Sequence, residues 1–297
     1  MAIDLAGVFP PLTTPFDGSG RLDLSSFRRN LRDYNRFRFR GYLALGSSGE
    51  AVSLLFEERV KLIEAARRET GREKLLLVGT GAQSFQETLK LTQVAASVGA
   101  DAALVLSPSY YKPAMTSEIL SKFYRKLAQA ARLPVMIYSI PQFTGFQMGV
   151  PLLAELSHKP NIVGLKESSG NVSYLSEIME ATGRRFQCLT GSALTFLPSL
   201  TLGAVGGILA LANVAPRECI EIYEDFKAGK LKEASLKQRK IMKLARAVTA
   251  GFGVAGLKAC TTLAGFHGGY PRSPLQSLPP DGRAVIRKLF EEMKANW

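Results

Sequence analysis

Cysteine and histidine are scarce in this chain of 297 residues, which contains three cysteines and two histidines. Cys188, Cys219 and Cys260 are widely spaced and form no CxxC pair, so neither a disulfide framework nor a zinc site is expected. His158 and His267 each lie beside turn residues, and a mechanism based on histidine ligands or a serine–histidine–aspartate relay is not expected. The sequence therefore predicts neither a bound metal nor an organic cofactor.

Long apolar segments are also lacking. No window of about 18 apolar residues occurs, so a membrane-spanning helix is not expected. The N-terminal segment MAIDLAGVFPPLTTPF has an early Asp4, three prolines and no basic residue, which is unlike a signal peptide. We therefore expect a cytoplasmic protein with no membrane partner.

Charge is strongly positive, with a formal net value of +13. The densest basic segment is FRRNLRDYNRFRFR, residues 27–40, in which Leu31, Tyr34 and Phe37 recur at helical spacing. This spacing favours an amphipathic helix with a basic, solvated face. Nucleic-acid binding is the alternative, but a basic patch without a recognised binding motif does not favour it. We expect no nucleic-acid partner, and a positive field would also suit an anionic small substrate.

Eight short apolar runs recur along the chain. Each is nearly continuous in apolar residues rather than alternating, as is typical of parallel strands that are covered on both faces. The runs are GVFPPL from Gly7, GYLALGS from Gly41, LLLVGTG from Leu75, AALVLSP from Ala102, PVMIYSIP from Pro134, IVGLKES from Ile162, FQCLTGS from Phe186 and AVGGILA from Ala204.

The segments between these runs predict amphipathic helices. LFEERVKLIEAARRET is followed by Gly71, SFQETLKLTQVAASV is followed by Gly99, and TSEILSKFYRKLAQAA begins with Thr116 as a cap. Eight strand–helix repeats predict a (β/α)8 TIM barrel over residues 1–225. A doubly wound sheet is disfavoured because no GxGxxG follows the first strand. Residues 226–297 are predicted to form a small helical C-terminal extension that packs on the barrel.

The ends of the strands are where a barrel of this kind places its chemistry. Lys166 lies at the end of the sixth run, where desolvation would disfavour its ammonium form and lower its pKa. A neutral amine there can attack a ketone and form a Schiff base, although a structural ion pair with Glu167 is an equal alternative. Tyr138 lies at the same height on the fifth run and could act as an acid–base group.

Two further strand ends carry polar or aromatic residues. GSSGE, residues 46–50, has glycines that flank two hydroxyls, and its N–H groups could hold a carboxylate or phosphate, unless it is simply a tight turn. Glu50 is expected to stabilise a first helical turn rather than to react. SYYKP places Tyr110 and Tyr111 in a loop, where aromatic residues pack at subunit contacts or reach a neighbouring site.

These stretches, in this order, resemble the pyruvate-dependent class I aldolases of the dihydrodipicolinate synthase and N-acetylneuraminate lyase superfamily. The resemblance runs from GVFPPLTTPF through PNIVGLKESSG to GAVGGILALANVAP and the GLK of the C-terminal segment. It implies a Schiff base between pyruvate and Lys166, with Tyr138 as the acid–base group. It also implies that Ser47 and Ser48 bind the pyruvate carboxylate and that Ser48 is in addition a catalytic residue. Tyr111 would complete a proton relay in a neighbouring subunit.

The resemblance implies three further substrate contacts and an assembly. A backbone contact to pyruvate would fall at Ile208, and Ser168 would contact the distal end of the substrate. Synthases of this family normally carry an arginine five residues after the acid–base tyrosine, whereas this chain has Phe143 there. Relatives are usually tetramers built from dimers, so a homotetramer is expected.

The motif wording is most similar to 4-hydroxy-2-oxoglutarate aldolases, which cleave a 4-hydroxy-2-oxo acid to pyruvate and glyoxylate. The function predicted from the sequence is therefore a Schiff-base lyase of this type, whose partners are pyruvate and an aldehyde or 2-oxo acid. The alternative is dihydrodipicolinate synthase, also called 4-hydroxy-tetrahydrodipicolinate synthase, which condenses pyruvate with aspartate semialdehyde. A non-catalytic sensor of 2-oxo acids is a more distant alternative.

Overall fold

The computed structural model describes residues 3–295 and contains eight parallel strands, one for each predicted apolar run. The first two residues of the predicted barrel and the last two of the predicted extension lie outside these described residues. The strands are β1 (Gly7–Phe9), β2 (Gly41–Ala44), β3 (Leu75–Gly79), β4 (Ala102–Leu106), β5 (Val135–Ser139), β6 (Ile162–Glu167), β7 (Gln187–Thr190) and β8 (Gly206–Ile208).

The strands pair in chain order and close into a barrel. Each strand pairs in parallel with the next from β2 to β8, and β8 pairs with β1. The remaining seam is held by a parallel bridge between Pro11 and Leu43 and by the N–H of Leu12, which donates to the carbonyl of Leu43 at 2.8 Å. This seam is short because Pro10 and Pro11 have no N–H to donate. The prediction of a (β/α)8 TIM barrel is confirmed.

Helices follow every strand and cover the outside of the barrel. Three more helices follow the eighth repeat, and a π-helical turn, Ala247–Gly251, joins the first two of them. The helices are α1 (Leu24–Tyr34), α2 (Phe56–Glu69), α3 (Phe85–Val98), α4 (Ser117–Ala130), the short α5 (Pro141–Thr144), α6 (Val150–Ser157), α7 (Val172–Ala181), α8 (Phe196–Thr201), α9 (Pro216–Lys227), α10 (Leu231–Arg246), α11 (Gly253–Leu263) and α12 (Pro280–Ala295).

The predicted helix ends have clear local causes. The side chain of Ser84 accepts a hydrogen bond from the N–H of Glu87 at 3.1 Å and begins α3, and Gly99 ends it with φ at 87°. That left-handed conformation is one that glycine adopts without steric cost. Thr116 begins α4, as predicted, by accepting a hydrogen bond from the N–H of Ile119 at 3.3 Å.

The basic segment at residues 27–40 is only partly helical. Helix α1 ends at Tyr34, so Phe37 does not continue its apolar face but packs instead on Phe39, with ring centres 5.9 Å apart. The chain must leave the helix here because β2 begins at Gly41. Arg28 and Arg32 of α1 both form ion pairs with Glu69 on the neighbouring helix α2, at 3.9 and 2.8 Å. Part of the positive charge is therefore balanced within the protein.

Two apolar cores result from the alternation of side chains along the strands. The larger one lies between sheet and helices, and the smaller one fills the barrel interior. In β5, Ile137 points outward while Met136 and Tyr138 point inward, because successive side chains of a strand face opposite sides. The inward set is Leu5, Phe9, Leu43, Leu77, Ala102, Leu104, Met136, Tyr138, Ile140, Leu189 and Ile208.

The C-terminal helices pack against the last barrel repeats. Helix α10 contacts α8 and α9, and α11 contacts α12 and the turn that follows β8. Helix α9, the eighth of the barrel repeats, ends at Lys227, beside the boundary predicted at residue 226. Helix α11 thereby reaches the carboxyl ends of the strands, where Val254 and Leu257 line a cavity.

Candidate active site

Lys166 and Tyr138 face each other inside the barrel at the carboxyl ends of β5 and β6. The register of these strands pairs the two residues directly, and the Nζ atom of Lys166 lies 4.3 Å from the centre of the Tyr138 ring. Lys166 is only 4% exposed and Tyr138 only 5%. The structure thus places Tyr138 at the same height as Lys166 on the neighbouring strand, as the sequence predicts.

Lys166 has no carboxylate partner among the described residues. The alternative of an ion pair with Glu167 is wrong, because adjacent residues of a strand point to opposite faces. Glu167 lies outside the barrel, where its carboxylate accepts a hydrogen bond from the N–H of Ser169 at 2.8 Å. Burial raises the pKa of this carboxyl group. The amine is therefore buried without a counter-ion beside it. A buried lysine with a purely structural role is normally paired with a carboxylate, so this arrangement favours a reactive lysine.

The turn after β2 brings two hydroxyls to the same place. Ser47 and Ser48 are half-buried and line the cavity above Lys166. The Oγ atom of Ser47 lies 3.4 Å from the hydroxyl oxygen of Tyr138. The N–H groups of Gly49 and Glu50 bond to carbonyls within the turn, whereas those of Ser47 and Ser48 have no partner in the described part of the chain. Two hydroxyls and two N–H groups form a suitable cradle for a carboxylate.

Glu50 does not stabilise a first helical turn, so that prediction is wrong. Its carboxylate is buried and forms an ion pair with Lys258 of α11, and its Oε2 atom accepts a hydrogen bond from the N–H of Arg272 at 2.8 Å. The helix α2 begins six residues later, where Glu58 accepts a hydrogen bond from the N–H of Leu55 at 2.9 Å. Tertiary contacts with the C-terminal segment determine the position of Glu50.

One large cavity is lined by Lys166, Tyr138, Ser47 and Ser48. Its volume is about 600 Å³, and Lys166 is the only charged side chain that lines it within residues 3–295. The lining also includes the serines of the loops after β2, β6 and β7 and the threonine of the π-helical turn, so the cavity wall presents hydroxyls and no guanidinium. The lining residues are Pro11, Ser47, Ser48, Tyr138, Ile140, Gln142, Phe143, Lys166, Ser168, Ser169, Gly191, Ser192, Ala193, Leu194, Ile208, Ala210, Ala245, Val248, Thr249, Ala250, Gly253, Val254 and Leu257.

The three further predicted substrate contacts also line this cavity. Ile208 is the last residue of β8, and it is buried. It therefore lies at the carboxyl end of the strand, where it lines the cavity. Ser168 is buried, and its hydroxyl has no hydrogen-bond partner among the described residues. An unpaired buried hydroxyl at a cavity wall is suited to a polar substrate group. Phe143, on the short helix α5, is 67% exposed at the cavity entrance.

Tyr111 is the one predicted site residue that the fold does not bring into the cavity of its own chain. It is 73% exposed, and its ring contacts that of Tyr110 at 5.1 Å between centres. Exposed aromatic pairs of this kind are typical of contact surfaces. The prediction that Tyr111 enters the site of a neighbouring subunit stays a prediction.

Several lining residues were not predicted from the sequence. Gly191, after β7, leaves room for the neighbouring side chains, because a Cβ atom there would lie 1.7 Å from the Oγ atom of Ser168 and 3.1 Å from the Cε atom of Lys166. Gln142 donates a hydrogen bond to the carbonyl of Ser168 at 3.0 Å. Thr249 lies in the π-helical turn, a deformation that is frequent at functional sites. The glycine in the run FQCLTGS was the available signal for the first of these.

No group of three or more histidine, cysteine, aspartate or glutamate side chains could hold a metal ion within residues 3–295. The same residues contain no helix that is long and apolar enough to cross a membrane.

Comparisons with known proteins extend over nearly the whole chain. The model of the dihydrodipicolinate synthetase family matches residues 4–293. A 4-hydroxy-tetrahydrodipicolinate synthase from Methanothrix thermoacetophila is 33% identical over 288 residues, which cover 97% of this chain and 96% of the relative. The solved structure of such a synthase from Methylacidiphilum fumariolicum superposes with a TM-score of 0.93 at 28% identity and covers 99% of this chain and 97% of its own. YagE from E. coli, a member of the same family solved in complex with pyruvate, has a TM-score of 0.93 at 26% identity, with 98% and 99% covered.

Proposed function

Since this chain belongs to the dihydrodipicolinate synthetase family, we propose that Lys166 forms a Schiff base with pyruvate and that Tyr138 moves the protons. The chain is accordingly a pyruvate-dependent class I aldolase, a lyase. The observation that carries the assignment of residues is the contact between a buried lysine without a counter-ion and a tyrosine at 4.3 Å, on the floor of a large cavity.

The proposed reaction begins when the neutral amine of Lys166 adds to the 2-oxo carbon of pyruvate. Loss of water from the carbinolamine gives an iminium ion, which withdraws electrons from the adjacent methyl group. Removal of a methyl proton then gives an enamine, whose carbon attacks the carbonyl of an aldehyde. Tyr138 donates and accepts the protons of these steps, and it can exchange them with Ser47, 3.4 Å away. The new alkoxide takes a proton, the enamine becomes an iminium ion again, and water hydrolyses it to release the product and the free amine of Lys166. Cleavage of a 4-hydroxy-2-oxo acid follows the same steps in reverse.

Ser47 and Ser48 are proposed to bind the carboxylate of pyruvate. Hydrogen bonds to an ionised group are about twice as strong as those between neutral groups, so the cradle fixes the 2-oxo carbon above the amine. Ile208 would bound the other side of the bound pyruvate with its backbone. Because the iminium ion itself stabilises the negative charge that develops at carbon, we propose that the reaction needs no metal and no organic cofactor.

Tyr111 is proposed to act in the site of a neighbouring subunit. It lies outside its own cavity and is largely exposed, so the proposal requires an assembly, which we expect to be a homotetramer made of two dimers. Light scattering at micromolar protein concentration measures this directly. A species of the mass of one chain with full activity would contradict the role of Tyr111.

Borohydride reduction tests the Schiff base. With pyruvate present, reduction is expected to add one pyruvate-derived group to Lys166, located by mass spectrometry of the digested protein, and to inactivate the enzyme. Without pyruvate, the same treatment should leave both the mass and the activity unchanged. If no adduct forms on Lys166 at saturating pyruvate, the proposed mechanism is wrong.

The aldehyde partner has two candidates. The names of the relatives favour aspartate semialdehyde, and hence the synthase. The cavity supports the alternative of 4-hydroxy-2-oxoglutarate cleavage, since Phe143 stands where the resemblance led us to expect an arginine. Both substrates carry a distal carboxylate, but in 4-hydroxy-2-oxoglutarate it is bonded directly to the hydroxyl-bearing carbon, two carbons nearer to Lys166 than after addition of aspartate semialdehyde. The unpaired hydroxyl of Ser168 can bind it there without a residue at position 143. A guanidinium would bind the distal carboxylate of aspartate semialdehyde through two charge-assisted hydrogen bonds, and that contribution is missing. We therefore propose the 4-hydroxy-2-oxoglutarate aldolase activity first and the synthase activity second.

Replacing Phe143 by arginine is expected to raise kcat/KM for aspartate semialdehyde at least about tenfold, since hydrogen bonds to charged groups contribute roughly 1.5–3 kcal/mol each. The measurement is a steady-state comparison of aspartate semialdehyde with 4-hydroxy-2-oxoglutarate for both proteins. Phe143→Leu is the matched control, because it changes the same exposed position without adding charge. Efficient use of aspartate semialdehyde by the unaltered protein, with no gain in Phe143→Arg, would favour the synthase.

A further inference from the structure

The ion pair between Glu50 and Lys258 is the most deeply buried one in the described part of the chain. Both side chains are only 1% exposed. Removing two charges from water costs so much that such a pair is often no more stabilising than well-packed apolar residues of similar volume. Its presence beside the substrate cavity therefore calls for a reason other than stability.

The C-terminal segment encloses this pair from one side. The Nζ atom of Lys258 also donates a hydrogen bond to the carbonyl of Tyr270 at 2.6 Å, and the N–H of Arg272 donates to the second oxygen of Glu50. The guanidinium of Arg272 in turn binds both carboxylate oxygens of Glu58, at 2.6 and 2.7 Å. Both cations lie over the ring of Phe16, at 4.5 and 4.1 Å from its centre. These contacts fix the carboxylate of Glu50 in one position.

Glu50 is also one end of the turn that carries Ser47 and Ser48. Its φ angle is 54°, and Leu45, which precedes the turn, has a φ of 57°. These are the only two residues other than glycine with a left-handed backbone in the described part of the chain. Such conformations are sterically unfavourable for residues with a Cβ atom and persist where the surroundings hold them. A hydrogen bond from the side chain of Thr14 to the carbonyl of Gly49, at 2.7 Å, also holds the turn.

We propose that Glu50 and Lys258 are positioning residues, whose ion pair holds the Ser47–Ser48 turn in the conformation that binds the carboxylate of pyruvate. This inference rests on the proposed function. Lys258 acts through Glu50 and not on the substrate, because Lys258 does not line the cavity whereas its neighbour Leu257 does. Loss of the pair would release a backbone that is strained at both ends and would move the serine hydroxyls and N–H groups out of register with the carboxylate.

The test compares Glu50→Gln and the double variant Glu50→Gln, Lys258→Met with the unaltered protein. Burial lowers the pKa of Lys258 to about 8 and Glu50 opposes this shift, so Lys258 can become neutral in the single variant. The double variant removes both charges and keeps the volumes similar, which favours folding if the single variant fails. Folding is checked by circular dichroism and thermal unfolding.

The readout is borohydride trapping with two ketones. Pyruvate has a carboxylate, whereas acetone has the same reactive carbonyl without one. In both variants, the pyruvate concentration for half-maximal trapping and the KM for pyruvate are expected to rise about ten- to hundredfold, as for loss of a hydrogen bond to a charged group. The kcat at saturating pyruvate and the trapping of acetone should change much less.

Glu218→Gln is the matched control. Glu218 of α9 forms a second ion pair with a buried carboxylate, to Lys294 of α12, and neither residue lines the cavity. This variant should lower the unfolding temperature and leave the affinity for pyruvate unchanged.

A folded double variant with unaltered affinity for pyruvate would overturn the inference, as would equal losses of pyruvate and acetone trapping. Failure of the unaltered protein to trap pyruvate would overturn the proposed function and this inference with it. Normal trapping in the unaltered protein therefore separates the two cases.

Discussion

Replacing Lys166 by arginine is expected to abolish the pyruvate adduct and to lower kcat/KM at least about a thousandfold, because the nucleophile that forms the covalent intermediate is removed. A guanidinium does not lose its proton in proteins, so it cannot attack the 2-oxo carbon. It is positively charged, however, and can still lie over the ring of Tyr138. In the unaltered protein the centre of that ring lies 4.3 Å from the Nζ atom of Lys166. The substitution therefore removes the nucleophile while a basic side chain remains in the site. Rates of pyruvate release and the mass of the reduced protein measure both effects.

Lys74→Arg is the control for this substitution. Lys74 is also mostly buried, at 8% exposed, but its Nζ atom donates to the carbonyls of Phe37 and Phe39, at 2.6 and 3.3 Å, outside the cavity. This variant should keep the adduct and most of the activity. An adduct that persists in Lys166→Arg, or more than about a tenth of the normal rate, would show that another group carries the reaction.

Replacing Gly191 by alanine is expected to lower kcat/KM about a hundredfold with the fold retained. The new Cβ atom would lie 1.7 Å from the Oγ atom of Ser168 and 3.1 Å from the Cε atom of Lys166, so both side chains must move. A displacement of about 1 Å from the productive geometry can cost a hundredfold in rate. Steady-state kinetics and the rate of borohydride trapping measure the loss.

A double variant identifies the cause of that loss. Adding Ser168→Gly removes the closest atoms in the way, and activity should return in part, because two residues in contact do not contribute independently. Gly183→Ala is the control, since a Cβ atom at Gly183 meets nothing within 4 Å and its backbone is not left-handed. Normal activity in Gly191→Ala would mean that the space between Gly191 and the side chains of Ser168 and Lys166 tolerates crowding and does not determine the geometry of the site.

The barrel and its two central residues could be predicted because they depend on local patterns. Continuous apolar runs identified all eight strands, and runs covered on both faces are typical of a parallel sheet. Lys166 and Tyr138 end two consecutive runs, and consecutive runs form neighbouring strands, so their meeting could be predicted from strand order. The carboxyl ends of parallel strands meet at one end of a barrel, so the turn that carries Ser47 and Ser48 could be assigned to the same site.

The end of α1 and the role of Glu50 could not be predicted in this way. The helical spacing of Phe37 continued the pattern of α1, but the chain needs the residues after Tyr34 to cross from the helix to β2. The GSSGE motif is typical of a turn and ends in the carboxylate of Glu50. Because carboxylates stabilise the first turn of a helix, the sequence predicted that role for Glu50. Its actual partner, Lys258, belongs to a helix that follows the whole barrel.

By itself, the sequence determined the number and order of the strands and put Lys166 and Tyr138 at neighbouring strand ends, since each of these follows from residue type and pattern within a few positions. The roles proposed for the two residues came from the resemblance to a family. The tertiary structure alone decided how the turn with Ser47 and Ser48 is held and how the cavity is shaped. Contacts such as those of Glu50 with Lys258 and of Gly191 with Ser168 join residues from different elements, whose distances are set by the packing of the barrel and its C-terminal helices and leave no periodic signal in the sequence.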